Sequence, residues 1–126
     1  MDFTLDATNR IVRTRAWDEL AGSELVDHLE RITRCFAEGA LDASWAQIVD
    51  LADIRSLLGV TTAIIRRLAE NNPWPEQSFR VVIAPGDVSF GLARMYQLLG
   101  AGATDNVKIT RSKEEAEVWF ARRPEA

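Results

Sequence analysis

Residues 81–100, VVIAPGDVSFGLARMYQLLG, decide the fold class. Val81, Val82, Ile83 and Ala84 form a short apolar run, the mark of a buried strand. Pro85-Gly86 is a turn signal. Asp87 then stands where an N-cap is expected, and Val88, Leu92, Met95 and Leu99 recur at helical spacing as an inward stripe. A buried strand, a tight turn and an amphipathic helix make half of a βαβ unit. Gly91 lies inside this helix, where glycine costs about 1 kcal/mol against alanine, so a close helix–strand approach is expected there. Phe90, Arg94 and Gln97 fall on the outward face. An aromatic beside an arginine is a composition that interface cores favour, so Phe90 and Arg94 are candidates for a partner surface.

The same architecture holds phosphates in many proteins. A phosphate cradle needs several backbone N–H groups converging on one anion, usually from a glycine-rich loop. This loop offers Gly86 alone, with no Walker lysine and no G-x-G-x-x-G spacing. A carboxylate at the N-cap would take the first N–H groups itself and repel an anion. The stretch therefore reads as a core strand with a self-capped helix.

Working outward, DFTLD (2–6) and IVRTRAW (11–17) each alternate, and ATNR (7–10) between them is a turn signal, so the chain opens with a β-hairpin. In the second run Val12, Thr14 and Ala16 share one face; Ile11, Arg13, Arg15 and Trp17 share the other. A helix follows, with Ser23 as its expected N-cap, Leu25, Leu29, Ile32 and Phe36 as its stripe and Gly39 as its stop. AQIVDLA (46–52) is a central strand, and DIRSLLG (53–59) reads as a turn or short helical piece. VTTAIIRRLAENNP (60–73) is a second helix, closed by Pro73. GAGATD (100–105) is a break, NVKIT (106–110) a short strand, and Ser112 with Glu115 opens a last helix at capping-box spacing. The order β-β-α-β-α-β-α-β-α predicts one α/β domain over residues 1–126. Its sheet is mixed, mostly parallel and of about five strands, with right-handed crossovers.

The chain of 126 residues is 47% hydrophobic and 27% charged, ordinary for a globular domain. A net charge of −4 argues against generic nucleic-acid binding, which wants a basic footprint. No run approaches the roughly 18 apolar residues of a membrane span, and MDFTLDATNR has neither the charge nor the apolar run of a leader. One cysteine, Cys35, excludes an internal disulfide, and a cytoplasmic setting is the default expectation. Cys35 and His28, seven apart on one helix, lie too far apart for a dyad and make a poor metal set, so both read as packing residues and no metal or cofactor is expected. Asp50 and Asp53 close the central strand, where α/β sites usually lie. They are candidates for a partner surface together with Phe90 and Arg94, for an acid–base pair, or for a ligand site shared with Asp87, against the plainer reading of turn capping. Arg13, Arg15, Arg80 and Lys108 alternate with core residues and are expected on one open, solvated face of the sheet.

The hairpin start, IVDLADI after the first helix, the 80–100 stretch and the closing SKEEAEVWF together resemble the SpoIIAA-like, STAS-type family of small bacterial α/β proteins. The resemblance runs from about Phe3 to Phe120. It implies a non-enzymatic role in protein–protein regulation, a protein partner and a possible homodimer, as in anti-sigma-factor antagonists. It also implies a phosphorylated hydroxyl near the start of the helix after DLADI. Ser56 and Thr61 are the candidates, although the family's Asp-Ser-Ser-Gly turn reads Leu58-Gly59-Val60-Thr61 here. The alternative is a small-molecule or lipid-binding protein, or an enzyme, with a pocket at the C-terminal edge of the sheet near Asp50, Asp53 and Asp87.

Overall fold

The computed structural model describes residues 1–100 and 106–123. It has the expected element order: β1 (Asp2–Asp6), β2 (Ile11–Ala21), α1 (Gly22–Ala37), β3 (Ala46–Leu58), α2 (Thr62–Glu70), β4 (Arg80–Ile83), α3 (Asp87–Leu99), β5 (Val107–Thr110) and α4 (Lys113–Phe120). The five strands lie in sequential order, β1 antiparallel to β2 and the others parallel. Helices α1, α2 and α3 cover one face, where Val12, Ala16, Val49, Leu51 and Val82 meet Leu25, Ile32 and Leu92. Helix α4 covers part of the other face, packing Ala116, Trp119 and Phe120 on Ile48, Val81 and Ile83. The expected α/β class and strand alternation are both present. GAGATD falls mostly on residues outside those described; Gly100 is the C-cap of α3.

Five local expectations are corrected. The segment 53–58 is strand, not turn or helix: β3 runs 13 residues against 11 in β2. Between Arg15 and Trp17, and again between Asp18 and Glu19, β3 carries an extra residue, so its alternation breaks where the exposed Arg55 and Ser56 follow one another. The result is a two-stranded parallel ribbon, Trp17–Ala21 beside Asp53–Leu58, that overhangs the ends of β1 and β4. One side of it packs Leu20, Ile54 and Leu57 against α1 and α3.

The N-cap of α1 is Ala21, not Ser23, because the Glu24 carboxylate reaches back to accept the Ala21 N–H at 2.9 Å. The N-cap of α3 is Gly86, not Asp87, which is the first helical residue. The inward stripe of α3 is also turned by about one residue. Ser89 and Ala93 are buried, while Val88 and Leu98 are 63% and 68% exposed. Small residues let the helix sit close, and they win over the larger apolar ones. Gly91 is not the point of closest approach, since a Cβ there would meet nothing within 4 Å.

The close approach is at Gly22, where β2 turns into α1. A Cβ there would lie 2.3 Å from the Gly59 carbonyl oxygen and 2.6 Å from Ile64 Cδ1. Gly59 itself has φ +63°, a conformation that suits glycine. In urea unfolding, Gly22→Ala is expected to cost about 1–3 kcal/mol through this overlap. Gly91→Ala is expected to gain up to about 1 kcal/mol of helix propensity. Equal effects at the two positions would contradict this packing.

Candidate functional site

Strand alternation sets the site. Arg80 pairs in register with Gln47, which pairs with Val12, and all three point toward α1–α3. Arg13, Ile48, Val81 and Lys108 form the next row and point the other way. Arg80 is thus one residue out of phase with the open face expected for it. The reason is that Val81 and Ile83 pack on α4, which turns Arg80 and Val82 inward. The side chain is 7% exposed and lies among the core helices.

It borders a partly open cavity of about 130 Å³ between the sheet and the helix layer. The walls are largely apolar, with Leu29 and Ile32 from α1, Leu68 from α2, Val49 and Val82 from the sheet and Leu92 from α3. Five polar side chains share the lining: His28, Gln47, Asn72, Arg80 and Tyr96. Arg80 donates from Nε to Gln47 Oε1 at 3.1 Å, from one terminal nitrogen to Asn72 Oδ1 at 3.3 Å and from the other to the Tyr96 hydroxyl at 3.2 Å. Its guanidinium carbon lies 5.5 Å from the Trp74 ring centre and 5.7 Å from that of Tyr96. These partners are neutral. Among the described residues, no carboxylate forms an ion pair with Arg80.

His28, from α1, shares a hydrogen bond with Thr14 of β2 across 2.9 Å and meets the Phe3 ring edge-on. Burial pushes its pKa down to about 4, helped by the charges of Arg31 and Arg80 and opposed by Asp27. The imidazole is therefore neutral at neutral pH. Cys35 is half-buried beside Val12, Ile32, Leu41 and Trp74.

The residues singled out in the sequence are not brought together. Asp50 sits at the rim of an open groove of about 770 Å³ between β1–β2 and α4. It accepts the Ala52 N–H at 2.9 Å and pairs with Lys113 at 3.4 Å. Asp53 pairs with Arg15 at 2.7 Å, and that contact holds its carboxyl below the usual range. Arg13 pairs with Asp6 at 3.6 Å, so the arginines of the open face are largely neutralised by their neighbours. Asp87 pairs with Arg111 at 2.8 Å, and the same guanidinium lies 3.9 Å from the centre of the Phe90 ring. Phe90 is thus half-covered. Arg94 is exposed and donates to Gln97. The Thr61 hydroxyl caps α2 by accepting the Ile64 N–H at 3.2 Å, and Ser56 is exposed in the ribbon.

The chain matches no family model, no curated protein and no solved structure. The cavity thus stands on its own geometry. Its polar residues come from five separate segments, which no local spacing joins. The available signal was phase, since Arg80 shares its face with Val82 rather than with Val81.

The His28 shift carries a pH signature. The unfolded imidazole takes a proton near pH 6.5, whereas the folded one resists until about pH 4. The unfolded state therefore binds more protons in that window, and stability falls as pH drops from 6.5 to 4. The loss attributable to His28 is roughly 3 kcal/mol. Urea midpoints across this range should fall more steeply for the wild type than for His28→Gln. Parallel curves would show that the imidazole is not buried in neutral form.

Proposed function

We propose that this protein is a non-catalytic binding module that holds a small, mostly apolar molecule in a pocket between its sheet and its helix layer. The carrying observation is a partly open pocket of about 130 Å³ between the sheet and the helices, with largely apolar walls and a few polar side chains grouped around Arg80. Close-packed interiors leave few voids larger than a water molecule. An engineered apolar cavity of about 150 Å³ takes up a benzene-sized guest. The lining favours holding over reacting. Gln47, Asn72 and Tyr96 orient, and an imidazole with its pKa near 4 is a weak proton acceptor at neutral pH.

The protein-binding reading rests on Phe90, Arg94, the carboxylates of β3 and a phosphorylated Thr61. Phe90 lies against Arg111, Asp53 is paired with Arg15, and Thr61 is occupied as a cap. The interior cavity therefore carries the stronger argument, and the site lies away from Asp50, Asp53 and Asp87.

Benzene tests the reading without assuming a natural ligand. Present at about ten times its dissociation constant, it should raise the wild-type Tm by roughly 3–6 °C. Ala93→Leu adds bulk to a buried wall of the cavity and should abolish the rise while leaving the protein folded. A wild-type Tm indifferent to benzene would contradict a binding site in this pocket.

A further inference from the structure

Resting on that reading, we infer that the guest is a small apolar carboxylic acid bound as its anion, with Arg80 as its counter-ion. A buried cation is ordinarily paired with an opposite charge, because removing it from water costs several kcal/mol. Arg80 is 7% exposed and has no such partner among the described residues. The rings of Trp74 and Tyr96 attract the cation but leave its charge in place.

The hydrogen-bond count points the same way. A guanidinium carries five N–H donors. Three are taken, one each by Gln47, Asn72 and Tyr96. Each terminal nitrogen keeps one more donor, and a pair of such donors is what a carboxylate accepts bidentately. A dianionic phosphate would bring more charge and more acceptor oxygens than these two donors answer. The remaining walls are hydrocarbon and give an alkyl or aryl body its place. The cavity volume limits that body to about six to nine non-hydrogen atoms, on the scale of a benzene-sized guest.

Benzoate and benzyl alcohol match in size and differ in charge, so they are the probes. Calorimetric titration of the whole chain at pH 7 should show benzoate binding wild type at least tenfold more tightly than benzyl alcohol. Arg80→Met, checked for folding by thermal unfolding, should bind the two within about threefold of each other. On the wild type alone, the Arg80 Nε–H resonance should move on saturation with benzoate and stay in place with benzyl alcohol. That second measurement decides the matter if the variant does not fold. Equal affinities in wild type would overturn the anion and leave the binding cavity intact. A benzoate preference that survives in folded Arg80→Met would overturn the role of Arg80. Failure of both probes to bind, together with indifference to benzene, would overturn the cavity reading itself.

Discussion

A guanidinium buried between a sheet and three helices, held among the described residues by neutral acceptors, is the constraint around which this interior is arranged. Arg80 reaches from β4 to Gln47 on β3, to Asn72 after α2 and to Tyr96 on α3. One side chain therefore ties the middle of the sheet to two of the elements that cover it. Those three bonds leave the positive charge unbalanced, in surroundings where charge is expensive. Purely apolar packing against the group would leave its remaining donors without partners. The cavity beside it has largely hydrocarbon walls and a few polar side chains grouped around Arg80.

The rest of the fold serves that interior. The ribbon of β2 and β3 extends past its neighbours, carrying Leu20, Ile54 and Leu57 against α1 and α3. Gly22 lets the turn into α1 pass close to Gly59 at the end of β3. Ser89 and Ala93 bring α3 down onto the sheet, and that seats Tyr96 within reach of Arg80. On the opposite face, the ion pairs of Arg13, Arg15 and Lys113 with Asp6, Asp53 and Asp50 are solvated and local. Such pairs contribute little to stability, and they leave the charge of the open face nearly balanced.

Much of the architecture was legible in the sequence because it is written in short-range periodicity. The alternation of 11–17, the apolar run of 81–84 and the helical stripes each depend on neighbours a few residues away. The errors lie where long-range geometry overrides that signal. Two extra residues in β3 hid its second half, since Asp53, Arg55 and Ser56 read as a turn when the partner strand is unknown. Val88 and Met95 suggested the inward face of α3 by size, whereas close packing selected Ser89 and Ala93. An arginine in a strand ordinarily signals a surface charge, and the burial of Arg80 follows only from which neighbours pack on α4. A cluster drawn from α1, β3, the loop after α2, β4 and α3 has no local pattern to betray it.

The most direct test of an interior anion site is a crystal of the protein soaked in 4-bromobenzoate, with the bromine located by its anomalous scattering. The expected result is a bromine peak among Leu29, Ile32 and Leu92, with the carboxylate at roughly 2.7–2.9 Å from the terminal nitrogens of Arg80. A cavity without bromine at saturating soak, or bromine confined to the groove beside α4, would contradict it.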